Sequence, residues 1–219
     1  MNKLDVYQTL GVLMPGYFFS IGLYLIAKKA GVEIPLEISS IGGSITLLVI
    51  SYIIGQIVQA FGNGFEWVWR KIRKAPTTRV QKGDTKILSE GQHQKLIEAM
   101  RRKVGLPDTD VSQMPKNEWS SYVGLVASAV RQAKQMEQVD IFSAHYGMLR
   151  GVVATTFLLI LASWLLLKEH ACVPVIILIA FGLLALYRMD RFDKNYGKEL
   201  FRQFLLIARL DKDTASHGN

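Results

Sequence analysis

The chain of 219 residues holds a single cysteine, Cys172, which excludes an internal disulfide and any cysteine-rich zinc site. It has no GxxxxGK[ST] loop, no HExxH helix, no GxSxG elbow and no His or Cys pair at metal-ligand spacing. Nothing in these patterns supports an enzyme, so the sequence reads as non-enzymatic and without a cofactor. The larger shortage is of charge, and it is local. Residues 6–27, 38–65, 151–167 and 170–187 contain no Asp, Glu, Lys or Arg, so all 44 charges fall in the other 134 residues. A chain sorted this unevenly is not one water-soluble domain, and it is too apolar to be disordered.

A helix needs about 20 apolar residues to cross a bilayer core. Trimmed of polar margins, the runs read VYQTLGVLMPGYFFSIGLYLIA from Val6, SITLLVISYIIGQIVQAFG from Ser44, GVVATTFLLILASWLLL from Gly151, and Ala171 to Tyr187. No other part of the chain could cover four such helices in a soluble core. Pro15-Gly16 interrupts the first run, because proline removes a backbone donor. Either that span kinks there, or residues 3–13 lie in the interface and the crossing begins at Pro15.

With four spans, the N-terminus, the long middle segment and the C-terminus share one side. Within about 20 residues of the span ends, that side carries fifteen Lys or Arg, and the two short loops opposite carry only Lys28, Lys29 and Lys168. The bias places both termini and the middle segment in the cytoplasm of a multi-pass protein of the bacterial inner membrane. Glu33, Glu37 and Glu169 neutralise the outer loops, so the formal net charge of +8 is wholly cytoplasmic.

No stretch alternates at period two for long enough to argue a sheet. The expected architecture is all-α: a four-transmembrane-helix protein with a helical cytoplasmic domain inserted between two helical hairpins. The divisions are 1–62 for the first hairpin, 63–149 for the cytoplasmic domain, 150–188 for the second hairpin and 189–219 for a C-terminal helix and tail. Within the cytoplasmic domain, Phe65 to Ile72 continues the second span, and Lys74 to Ser89 reads as a loop. Ser89 and Gln92 match a capping box opening a helix with Leu96, Ile97 and Met100 on one face. A second helix begins after Pro115, with Trp119, Tyr122, Val123, Val126 and Val130 at three- and four-residue steps. The polar run from Arg131 extends it toward the third span. Phe192, Tyr196, Leu200, Phe201, Phe204 and Leu205 mark a last amphipathic helix.

Three groups of residues carry functional expectations. Tyr52, Gly55, Gln56, Gln59 and Asn63 share a face of the second span, which should look inward or toward another subunit, since an amide facing lipid is unsatisfied. Interhelical hydrogen bonding explains that stripe, and Tyr52, Gln56 and Gln59 as pore lining is the sharper alternative. Gly147 and Gly151 form a GxxxG pair suited to close helix packing, within one chain or between copies. Arg70, Lys71, Arg73, Lys74, Arg79, Lys82 and Lys86 put seven positive charges in 17 residues against Asp84 alone. Just beyond a span, such a cluster binds anionic lipid, an anionic ligand or an acidic partner. The lack of aromatic residues between 70 and 86 argues against nucleic acid.

LMPGYFF at 13–19, SYIIGQIVQ at 51–59, FSAHYGMLRG at 142–151 and RFDKNYGKELFRQFL at 191–205 together resemble small four-span bacterial inner-membrane proteins found beside antiviral defence systems. The layout is similar to that of the membrane subunit of Kiwa defence. The resemblance implies an oligomeric membrane anchor or sensor, whose cytoplasmic domain recruits or restrains a soluble protein partner in phage defence. It assigns no functional residue. The competing expectation is a pore-forming effector or ion channel.

Overall fold

The computed structural model of the chain describes residues 3–32 and 40–217; Glu33 and Glu37 of the first outer loop lie outside the described residues. Among the described residues, seven α-helices run in the order α1 Lys3–Lys29, α2 Ile41–Ile72, α3 Pro76–Gln81, α4 Glu90–Val104, α5 Lys116–Gln132, α6 Glu137–Leu167 and α7 Cys172–His217. Short 3-10 turns lie at Val111–Gln113 and Lys168–Ala171, and no strand occurs among the described residues. The chain is all-helical. Among the described residues, three stretches are long and apolar enough to cross a membrane: Gly11–Lys29, Ile41–Gln81 and Glu137–Asp211, with mean hydropathy 1.3, 1.9 and 2.3. The third contains α6, the Lys168–Ala171 turn and most of α7.

The helices divide between two compact units, Met1–Lys71 with Ala144–Arg191, and Ile72–Ser143 with Phe192–Asn219. In the first, α1 and α2 run antiparallel. Val12 packs at Gly55, Gly16 at Ser51 and Gly55, and the Gln59 side chain reaches Gly11, so one number rises as the other falls. α6 folds back on the start of α7 about the Lys168–Ala171 turn, where Lys168 takes a φ of 45°. Thr156 and Gly182, twelve and eleven residues from the ends of that turn, lie opposite each other. Phe18 and Phe181 bring α1 to α7 with ring centroids 5.2 Å apart. Ile26, Leu159, Leu167, Ala171 and Val175 form the buried cluster between these helices. The outside is the more apolar surface: Leu165, Val173, Ile176, Ile177 and Leu183 are each more than 60% exposed.

The second unit has its own core, in which Leu96 and Met100 of α4, Trp119, Val126 and Val130 of α5, Val139 of α6 and Leu200, Phe201 and Phe204 of α7 are buried. α4 forms where its ends are satisfied. Ser89 accepts from the Gln92 N–H while the Gln92 side chain accepts from the Ser89 N–H, and Gly105 closes the helix at φ 69°. Two expectations fail here. Residues 74–89 are not all loop: Pro76 supplies the fixed φ of a first helical position and starts α3. Trp119 Nε1 donates to the Thr77 carbonyl at 2.9 Å, and buried Gln81 donates to the Val111 and Met114 carbonyls at 3.1 and 2.7 Å, tying α3 to the Val111–Gln113 turn. The polar run after Arg131 does not carry α5 into α6 either. Lys134 turns to a φ of 57°, and the chain restarts at Glu137, because Met136 and Val139 must turn into the core.

Asp84 holds the turn after α3, accepting from the Lys86 N–H at 2.9 Å and from Arg79 Nε at 2.8 Å. The Lys86 N–H and the Arg79 guanidinium hold its carboxyl below the usual carboxylate range. A depressed carboxylate contributes stability above its unfolded value and loses it as pH falls through its folded one. Asp84→Asn therefore destabilises the chain at neutral pH, and its difference from the native chain shrinks to nothing in strong acid, in thermal melts taken across pH. Phe201→Ala opens a cavity in the second unit and costs about 3–5 kcal/mol, measured by denaturant unfolding of the purified chain.

Candidate functional site

Helices of the first unit come together through a polar cluster that begins at Pro15. A proline has no N–H, so the Gly11 carbonyl four residues earlier loses its helical donor. The Gln59 amide supplies it, with Nε2 donating to Gly11 O at 2.8 Å and to Gly147 O at 3.1 Å. α1 stays helical through the proline from Lys3 to Lys29, since α2 replaces the missing bond. The Pro15 carbonyl in turn accepts from the buried Thr155 hydroxyl at 3.0 Å. One proline thereby joins α1, α2 and α6.

Close approach of α1 and α2 requires small residues. A Cβ at Gly16 would sit 2.6 Å from the Gly55 nitrogen, and one at Gly151 would sit 2.7 Å from both Pro15 Cγ and Gln59 Nε2. Ser20 donates to Gly16 O at 2.9 Å and accepts from Ser51 at 3.4 Å, so hydroxyls buried at this contact stay bonded.

The cluster then extends along α2 to charged groups. Gln59 Oε1 accepts from the Arg150 guanidinium at 3.1 Å, and Arg150 Nη1 meets Glu66 at 2.6 Å. Glu66 also pairs with Arg70 at 3.2 Å, and Arg70 donates to the Tyr146 hydroxyl at 3.1 Å with its guanidinium 5.2 Å from that ring. Side chains of Arg150 and Glu66 are about four-fifths buried, at 20% and 22% exposed. Removing one member of such a pair costs more than the pair contributes, because the other is left desolvated. The network satisfies the carbonyl that Pro15 leaves without a donor and holds three helices in register.

The polar stripe expected on α2 divides. Gln59 turns inward, whereas Tyr52 and Gln56 are exposed on the outside of the first unit, and so is Asn63. The buried stripe of α2 is Leu47, Ser51, Gly55, Val58 and Gly62, which is rotated from the expected face. Smallness sets that choice: Ser51, Gly55 and Gly62 admit neighbouring backbones, and Tyr52 and Gln56 do not. Of the GxxxG pair, Gly151 lies in the contact, whereas Gly147 has open space where a Cβ would be and takes part through its carbonyl.

The seven basic residues have different surroundings. Arg70 belongs to the Glu66 network, Lys71 lies 3.5 Å from the centre of the Trp67 ring, and Arg79 pairs with Asp84 at 2.6 Å. Arg73, Lys74, Lys82 and Lys86 are exposed. Arg70 and Lys71 fall in the first unit and the other five in the second. Sequence reasoning missed the roles of Pro15, Glu66, Tyr146 and Arg150. The signal for the first was available, since a proline inside an apolar span always leaves a carbonyl seeking a donor.

Gln59→Leu leaves the Gly11 and Gly147 carbonyls without this donor and destabilises the chain by about 1–2 kcal/mol, the range for interhelical hydrogen bonds in bilayers. Pro15→Ala restores an N–H to Gly11, so in that background the Gln59→Leu cost falls by about 1 kcal/mol. A double-mutant cycle by reversible unfolding in mixed micelles measures it; simple additivity would remove the link between the two residues. Compared with known proteins, the chain matches no family model, no curated protein and no solved structure.

Proposed function

We propose that this chain is a non-enzymatic, oligomeric anchor or sensor of the bacterial inner membrane that crosses the bilayer four times. In this reading α1, α2, α6 and the first half of α7 are the spans. The second unit lies in the cytoplasm with both termini and recruits or restrains a soluble protein. The resemblance extends the reading to phage defence. The observation that carries it is the contrast between two units of one chain. The first exposes large apolar side chains, among them Leu165 at 77% and Ile176 at 65%, over an interior in which Gln59 and Glu66 are already bonded. The second closes its own core, and bilayer lipid is the natural cover for the first. The positive-inside bias supplies the orientation.

The Gln59 amide also bears on the choice between anchor and pore. It is committed to Gly11, Gly147 and Arg150 within one chain, which argues against a water path along α2 inside the protomer. Tyr52 and Gln56, exposed among apolar neighbours, favour contact with a second copy, since an amide in lipid needs a partner. A pore between copies is therefore the second reading.

Proteoliposomes of the purified chain separate the two. The anchor reading expects vesicles that hold a potassium gradient, and chain that stays in membranes through alkaline carbonate. A leak that Gln56→Leu abolishes establishes the pore instead. Release by carbonate rejects both.

A further inference from the structure

The second unit carries a groove that none of these functional residues lines. It lies between α4 and the C-terminal half of α7, with a volume of about 740 Å³. Its floor is aliphatic, from Leu88, Ala99, Leu205 and Ala208. Its walls are basic: Lys95, Arg102, Lys198, Arg202 and Arg209 stand against only two carboxylates, Glu98 and Glu199. Arg102 and Arg202 are held loosely to those acids at 3.7 and 3.9 Å. Lys95, Lys198 and Arg209 are exposed and form no ion pair with a described residue.

We propose that this groove docks an acidic amphipathic helix of a soluble partner. Length supports a helix: α4 lines it from Gln92 to Arg102 and α7 from Lys198 to Arg209, which at 1.5 Å per residue is about 15 Å, or three helical turns. Chemistry supports its character. A floor of methyl groups accepts a stripe of aliphatic side chains, and unpaired cations on both walls meet carboxylates flanking that stripe. No aromatic residue lines the groove, so it offers a nucleotide base no stacking surface. Lys103 pairs with Asp211 beyond the last lining residues, fixing the two walls to each other. The proposal rests on the recruitment reading and gives the partner a chemical class.

The test uses the full chain in nanodiscs of uncharged phosphatidylcholine. The probe is a fluorescein-labelled peptide of about fifteen residues with leucines on one helical face and glutamates beside them. One control peptide scrambles that order, and another carries lysine for glutamate. The striped acidic peptide is expected to bind about tenfold more tightly than either control by fluorescence anisotropy. Lys95→Glu, Lys198→Glu and Arg209→Glu together weaken it about tenfold, while Lys116→Glu with Lys134→Glu, at exposed positions away from the groove, leaves it unchanged. Circular dichroism of both variants checks that the fold is kept. Equal binding of the scrambled peptide, equal loss in both variants, or no binding overturns the proposal. Displacement by ATP at lower concentration than by unlabelled peptide also overturns it, in favour of a small-anion site. A chain that fails here yet resists carbonate keeps its role as an anchor, so the two failures are distinguishable.

Discussion

A backbone carbonyl away from water has to find a donor, and in the first unit that requirement falls on Gly11. Pro15 takes away the N–H that an unbroken helix would supply, and the nearest replacement is a side chain 48 residues along. Much of the unit follows. Gln59 reaches Gly11 only if α1 and α2 approach closely, which demands Gly16 and Gly55 at the crossing. Its second hydrogen bond, to Gly147, draws in α6, and its carbonyl oxygen orients Arg150 toward Glu66. A residue that would break an isolated helix instead organises a bundle.

That logic also explains why polarity was a poor guide to which side of α2 is inside. Amides and hydroxyls in an apolar span invite the inference that they face protein. Tyr52 and Gln56 face outward because the inner face at the helix crossing is taken by the small residues Ser51 and Gly55. Shape selects the contact, and a polar side chain joins it where it can reach a freed carbonyl, as Gln59 does from the edge.

Local signals were legible in the sequence. Charge-free runs marked the apolar stretches, Ser89 and Gln92 marked the start of α4, and three- and four-residue steps placed Trp119, Val126 and Phe201 in a core. Arrangements that depend on distant residues were not. Glu66 and Arg150 are 84 positions apart, and α4 meets its groove partner on α7 about a hundred residues later. α3 was missed because six residues carry too little periodicity. What stabilises it is the tertiary pull of Trp119 on Thr77 and of Gln81 on the Val111 turn.

The second unit is also discontinuous, closing residues 72–143 with 192–219. During synthesis its first segment leaves the ribosome with the Leu96, Met100 and Trp119 faces prepared but without Leu200, Phe201 and Phe204 to cover them. The core closes only after the apolar stretch between the segments has been made. A chain cut short before Lys198 lacks one wall of the groove. The groove thus exists only once both segments have been made, and copies ended before Leu200 are left with an uncovered apolar face.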